Sequence, residues 1–398
     1  MIEVNNIPEG WEETTLNDIT LVNPRESLSK GAIAINVPMD CIDSFSKKIK
    51  RYNSKKFGGG TKFRNGDTLL ARITPCLENG KTAFVDILNE NEIGFGSTEY
   101  LVFREIKDKS DKHFIYYLSI SPRFREIAIK AMNGTSGRQR VQTDMLVNHK
   151  FNLPKYLEQK SIGCILSAFD NKIELLQAQN KTLEATAQTI FTEWFGKDSI
   201  NTVLPDGWSV GKLSDIADFL NGLALQKYPP IDGQESLPVI KIKELKQGIT
   251  SNTDRANKTL DKKYIIKNGD VLFSWSGSLE VVIWQHDIGA LNQHLFKVTS
   301  QKYPKWFYYH WLLFHLNEFK SIAATKATTM GHINRNHLDL AEVIIPNNET
   351  LKKLNNLFSP LLDKLEINNT QIQTLNKTRN KLLPRLMSGE IRLHEFKV

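Results

Sequence analysis

Two tandem globular units of mixed α/β (α+β) type, separated by two long helices that form an antiparallel coiled coil in a pseudo-two-fold internal repeat, are what this amino-acid sequence predicts. Three observations carry that prediction. A segment near the start recurs near the middle, the motifs that follow it recur at nearly the same spacing, and each copy runs into the same seam of apolar residues. Self-similarity is weighed first, because overlooking it misassigns the whole architecture.

The repeat opens with "IPEGWEETTLNDIT" at Ile7 and "LPDGWSVGKLSDIA" at Leu204. "RNGDTLLARITPCLENG" from Arg64 then corresponds to "KNGDVLFSWSGSLEVV" from Lys267, which sets Gly66 and Asp67 opposite Gly269 and Asp270. "HFIYYL" from His113 answers "WFYYHW" from Trp306, and "GTSGRQRVQTDMLVNHKFNLP" from Gly134 answers "ATTMGHINRNHLDLAEVIIP" from Ala327. The offsets drift between 192 and 203, as expected when insertions fall in surface loops. At 398 residues the chain also exceeds the usual size of one core. The expected division is a first domain over 1–153, a helix over 154–196, a second domain over 197–346 and a C-terminal helix over 347–391.

Within the domains, β-branched and aromatic runs such as "DTLLARI", "TAFVDIL", "EYLVFR", "DVLFSW" and "HLFKV" predict strands, and "DKHFIYYLSI" and "SPRFREIAIKAMNG" predict helices. Strand order does not follow from these runs. After Pro154 the seam falls at Ile162, Leu166, Phe169, Ile173, Leu176, Asn180, Leu183, Ala187, Ile190 and Trp194, alternating steps of four and three. It returns 192 residues later at Leu354, Phe358, Leu361, Leu365, Asn368, Ile372, Leu375, Arg379, Leu382 and Leu386. Such a heptad stripe needs a partner helix. An antiparallel pairing sets Asn180 against Asn368, whereas a parallel one leaves both amides facing leucine or isoleucine; a buried amide pair would fix the register. Asn180→Leu is then expected to stabilise the pair or loosen its register.

Composition excludes several classes. Hydrophobic residues make up 40% and charged residues 24%, the balance of a globular chain. The longest nearly apolar run, "WFYYHWLLFHL", covers 11 residues against the ~20 needed to cross a bilayer. The N-terminus lacks the basic start and apolar stretch of a signal peptide, so a cytoplasmic location is expected. Cys41, Cys76 and Cys164 are in no metal-ligand spacing, and His332 and His337 belong to no ligand cluster. "ENGKT" from Glu78 fails as a phosphate loop, because Pro75 stands where the first glycine belongs and a strand follows; a tight turn at Asn79 and Gly80 is the expectation. No catalytic or cofactor motif is apparent, and no cofactor or metal is expected on this chain.

Positive charge is the remaining signal. The net charge is +8, and between Lys47 and Arg64 lie eight basic residues, Lys55, Lys56 and Lys62 among them, and no acidic one. Cations with interleaved glycines suit a phosphate backbone, although a solvated loop has the same composition. Arg138, Gln139 and Arg140, with His332 and Asn334 in the second copy, are side-chain types able to bind base edges. "SWSGS" contributes Trp275, Ser276 and Ser278, and "LNQH" contributes Asn292, Gln293 and His294. Arg72 and Lys326 complete the candidate DNA-contacting set.

Taken together, the twice-used P-x-G-W start (Pro8, Gly10, Trp11; Pro205, Gly207, Trp208), "GDTLLARITPCLENGKTAFV", "GDVLFSWSGS", "GALNQHLFKV", "GTSGRQRV" and "LLPRLMSGEI" resemble the specificity subunit of a type I restriction-modification system over nearly the whole chain. The resemblance implies two target-recognition domains, each reading one half of a bipartite double-stranded DNA target, with the helices as a ruler. It further implies two methyltransferase subunits and restriction subunits as partners, which would hold the S-adenosylmethionine, ATP and Mg²⁺ and leave this chain non-catalytic. Two alternatives stay open: the specificity subunit of a related system that cuts beside its target, or an autonomous DNA methyltransferase or nuclease with a duplicated recognition region.

Overall fold

The computed structural model describes residues 7–196, 203–250, 252–325 and 331–393. They fall into two compact units, Met1–Glu174 with Thr374–Val398, and Leu175–Gln373. Both divisions lie inside the long helices, so each unit carries a stretch of each helix.

The strands of the first unit are β1 (Glu12–Thr15), β2 (Thr20–Val22), β3 (Ile33–Val37), β4 (Asn53–Lys56), β5 (Thr61–Phe63), β6 (Thr68–Ala71), β7 (Thr82–Phe84), β8 (Gly94–Gly96), β9 (Tyr100–Glu105), β10 (Met132–Asn133), β11 (Arg140–Val141) and β12 (Lys150–Leu153). They build an antiparallel sheet in the order β2-β9-β6-β7 and a mixed sheet in the order β4-β3-β8-β5, with the ribbons β1-β12 and β10-β11 beside them. In the second unit come β13 (Ser209–Lys212), β14 (Asp218–Asn221), β15 (Ser236–Ile240), β16 (Arg255–Asn257), β17 (Ile265–Ile266), β18 (Val271–Ser274), β19 (Val281–Ile283), β20 (Gly289–Leu291), β21 (Leu295–Thr299) and β22 (Glu342–Ile345). Their orders, β14-β21-β18-β19 and β16-β15-β20-β17, repeat those of the first unit strand for strand. The parallel pair β3/β8 likewise returns as β15/β20.

Repeated sequence makes repeated local structure. At each P-x-G-W start the tryptophan N–H donates to the proline carbonyl at 3.0 Å, and the glycine takes a φ of 76° that favours glycine. Gly66 (φ 91°) and Gly269 (φ 86°) turn the chain into β6 and β18, and the next residue holds each turn: Asp67 Oδ2 accepts from Arg64 N and Asp270 Oδ2 from Lys267 N, both at 2.7 Å. The expected tight turn before β7 is instead a wider connection over residues 72–81, in which Gly80 lies against the Phe45 ring.

Helices diverge where proline intervenes. Helix α1 (Lys112–Ile120) ends at Ser121, whose side chain caps α2 (Pro122–Lys130) with proline at its first position. The second unit has no proline there, and α4 (Lys305–Thr325) runs unbroken for 21 residues. The long helices α3 (Tyr156–Phe195) and α5 (Asn348–Met387) each span 40 residues, longer than the 33-residue seam.

Within the first unit, Glu158 pairs with Arg392 and Asp170 with Arg379, so the helix segments there run antiparallel. Within the second, Asn180 Oδ1 accepts from Asn368 Nδ2 at 2.8 Å, the contact expected from the seam. A third amide joins them, because Asn180 Nδ2 donates to Asn369 Oδ1 at 2.6 Å. Toward the end of α3 burial slips one residue off the seam, to Phe191 and Phe195, and in α5 it spreads from the seam residue Leu386 to Leu383 and Met387. A 3.6-residue helix drifts in this way against a seven-residue repeat.

Candidate nucleic-acid interface

In each unit three chain segments meet at the end of the central sheet, and the same main-chain hydrogen bonds join them. In the first, Arg72 N donates to Glu99 O (3.0 Å), Val141 N to Arg72 O (2.8 Å) and Thr74 N to Gln139 O (3.0 Å). In the second, Trp275 N donates to His294 O (3.3 Å), Ile333 N to Trp275 O (2.9 Å) and Gly277 N to Gly331 O (2.8 Å). Arg72, Glu99 and Arg140 therefore stand where Trp275, His294 and His332 stand in the other copy. The backbone platform is common, and the chemistry mounted on it is not.

On the first platform the side chains form a charged cluster. Arg140 grips Glu99 with Nε (2.9 and 3.1 Å to the two carboxylate oxygens) and Nη2 (2.7 Å), and Arg72 Nε reaches Glu99 Oε2 at 3.3 Å. Hydrogen bonds from Arg140, opposing burial, hold the Glu99 carboxyl below the usual carboxylate range. Arg138 is exposed beside this cluster, and its carbonyl accepts from Arg140 Nη1 at 3.4 Å; Gln139 is half-buried.

On the second platform the cluster is aromatic and neutral-polar. Gln293 Nε2 lies 3.3 Å from His294 Nε2, and Ser276 Oγ lies 2.9 Å from His294 Nδ1, so both ring nitrogens are engaged. Trp275 lies against the His294 and His332 rings, with centroids 5.8 and 6.5 Å away, and donates Nε1–H to Asn221 Oδ1.

The remaining candidates scatter around these centres. Lys55 and Lys56 are exposed on β4, an outer strand, where lysines also discourage pairing with a foreign sheet. Lys62 is more committed: Nζ donates to Glu26 O at 2.7 Å and lies 5.2 Å from the Phe57 ring centroid. Ser278 Oγ accepts from Lys246 Nζ at 2.7 Å. Asn292 is buried, and its Oδ1 accepts from His294 N. Asn334 begins the helical turn Arg335–Leu340, its N–H donating to His337 Nδ1. Lys326 lies outside the described residues.

Sequence reasoning missed Glu99. A lone carboxylate among candidate phosphate contacts looks out of place, but aligning "STEYLVFR" with "NQHLFKVT" puts it opposite His294, and that correspondence was the available signal. Among the described residues no helix is long and apolar enough to cross a membrane.

One mixed α/β frame, used twice and joined to two long helices, presents two unlike polar clusters, which defines a duplicated presentation scaffold. Residues 8–185 and 205–377 both match the family described as type I restriction modification DNA specificity domain, and the chain belongs to that family as a specificity subunit with two tandem specificity domains. It is similar to the MjaIX specificity subunit of a type I restriction enzyme from Methanocaldococcus jannaschii, 28% identical over 316 residues that make up 74% of this chain and 73% of that protein. It is also similar to the putative MjaX specificity subunit of the same organism, 24% identical over 98% of this chain and 96% of the relative. In fold it resembles the S subunit of a type I restriction-modification system from M. genitalium, at 15% identity with a TM-score of 0.55, covering 97% of this chain and 98% of that one.

Proposed function

We propose that each specificity domain of this chain, 1–153 and 197–346, reads one half of a bipartite double-stranded DNA target through its hydrogen-bonded platform. The observation that carries this reading is the identity of the two platforms in main-chain bonding and their difference in side chains. Two halves of unlike sequence need unlike donors and acceptors held on equivalent supports. Exposed lysines on β4 suit the phosphate backbone, which would make binding fall steeply with salt.

The two 40-residue helices act as the spacer and as the docking surface for two methyltransferase subunits, which restriction subunits join. At 1.5 Å per residue each helix is ~60 Å long, beyond the ~34 Å of one DNA turn. In this reading S-adenosylmethionine, ATP and Mg²⁺ act on the partner subunits, and this chain, working in the cytoplasm, contributes recognition without catalysis.

The test is to assemble the chain with its methyltransferase subunits and map the methylated sites. Arg138→Ala or Arg140→Ala should weaken or relax recognition of one half-site only, and equal loss at both would count against modular reading. Methylation or cleavage by the purified chain alone would favour an autonomous enzyme.

A further inference from the structure

Resting on the DNA-reading function just proposed, we infer that the residue directly before an inner strand of each antiparallel sheet, Glu99 before β9 and His294 before β21, is a positioning residue that selects the base edge its domain accepts. Glu99 presents Arg140 to guanine. His294, anchored on the buried Ser276, presents Gln293 to a different base.

Placement favours this role. Position 99 and position 294 are tied through their carbonyls to the segment that carries Arg72 or Trp275, and that segment is tied in turn to the one carrying Arg140 or His332. A side chain here touches both neighbours, and Glu99 does so, meeting Arg72 and Arg140 at once.

Electrostatics favours it as well. A carboxylate on a surface meant for a polyanion weakens attraction to phosphate, and with Glu99 ionised two arginines supply a net charge of only one. Such a group is a liability if the arginines serve as diffuse cations. It is useful if one guanidinium has to be held at a fixed angle, because a bidentate pair adds geometric specificity.

One edge of the Arg140 guanidinium is left over. A guanidinium carries five N–H donors in a planar fork. Arg140 gives its Nε/Nη2 edge to Glu99, while Nη1 makes only a 3.4 Å contact with the Arg138 carbonyl. The end-on Nη1/Nη2 edge points away from Glu99 and stays available. Two parallel donors match the O6 and N7 acceptors of guanine in the major groove.

His294 does the corresponding work with different chemistry. Its two ring nitrogens engage Ser276 and Gln293, fixing one hydroxyl and one amide. Gln293 retains its carbonyl oxygen, which can accept from the N6 amino group of adenine, and one N–H, which can donate to adenine N7.

The experiment uses the full complex with its methyltransferase subunits on a randomised DNA library, read out as base preference at each methylated position. Wild type should demand guanine at a position of the first half-site. Glu99→Gln should relax that demand about ten-fold or more while leaving the second half-site unchanged, and Glu99→Asp should restore part of it. His294→Leu should relax only the second half-site. Unchanged preferences in Glu99→Gln, or equal loss at both half-sites, would overturn the inference. If Glu99→Gln fails to fold, as judged by its melting curve, Arg140→Lys serves instead: it keeps the charge without the fork, should relax the same position, and would overturn the inference if it did not. A wild-type complex with no base preference at all would be a separate result, defeating the DNA-reading function itself.

Discussion

The two units solve the same packing problem beside the helix pair in opposite ways. In the first, Asp170 of α3 is buried, pairs with Arg379 of α5 and accepts from the Tyr117 hydroxyl, while Lys47 donates to Ser167 and lies among the Phe84, Tyr116 and Tyr117 rings. Burial pushes the Lys47 ammonium below its ordinary value against the pull of Asp170 and Glu174. In the second unit the corresponding helix positions, 192 residues away, hold Leu362 for Asp170 and Ala187 for Arg379, and His310 stands in place of Tyr117. A cavity of about 540 Å³ lies there, lined by Ala187, Leu362, Tyr309, His310 and Trp284 and also by Lys181, Glu184 and Glu366. One frame therefore tolerates either a satisfied ion pair or a leucine and an alanine at the same two helix positions. What it does not tolerate cheaply is half of the network.

The largest expected effect comes from making that half. Arg379→Ala leaves Asp170 buried without its cation and should cost the first unit about 3 kcal/mol or more. Adding Asp170→Leu writes in the second unit's pair and should recover much of the loss, a coupling that denaturant melts of both singles and the double would measure. A double variant as unstable as the sum of the singles would mean that the two units do not share this site.

Next in size is the amide cluster. Asn180→Leu would strand both Asn368 and Asn369, which are almost wholly buried, and should destabilise by about 1–3 kcal/mol. This revises the expectation from the seam alone, where one facing amide made stabilisation conceivable. The triple replacement of Asn180, Asn368 and Asn369 by leucine should instead preserve stability while permitting register slip, which cross-linking between the helices would detect.

A smaller and graded effect should appear on acidification. Burial pushes His113 and His310 down to about 4, with Lys47 and Lys112 adding to the effect at His113. Below the unfolded value near 6.5 the unfolded chain gains protons that the folded chain refuses until about pH 4. Stability is thus complete above pH 6.5 and falls toward pH 4, by on the order of 1 kcal/mol per pH unit for each histidine. Denaturant midpoints across that range should flatten in His310→Phe for the second unit; an unaltered slope would locate the titration elsewhere. Least of all should Lys150→Ala matter, since the Lys150–Glu13 pair is exposed on a ribbon, and no change in midpoint is expected.

Much of the fold was legible because duplication doubles every signal. The runs around Thr68, Tyr100, Val271 and Leu295 became strands, the seam gave the helix direction, and Asn180 meets Asn368 as expected. Strand order was not legible, since the parallel β3/β8 pairing joins segments about sixty residues apart that carry no mutual code. Asn369 was missed because it lies one residue off the stripe, and the Asp170–Arg379 pair because only its arginine interrupts the seam. At the candidate interface, residue types were readable and their partners were not: Arg140 looked like a free cation, and only the fold brings Glu99, 41 residues earlier, against it.

The three main-chain bonds of each platform use no side-chain atom. Inheritance can therefore rewrite the residues at 72, 99 and 140, or at 275, 294 and 332, without altering the bonds that hold the segments in place. A lineage carrying such a platform can drift from one target to another in single steps, and its two halves can do so independently, because foldability and novelty are written in different atoms.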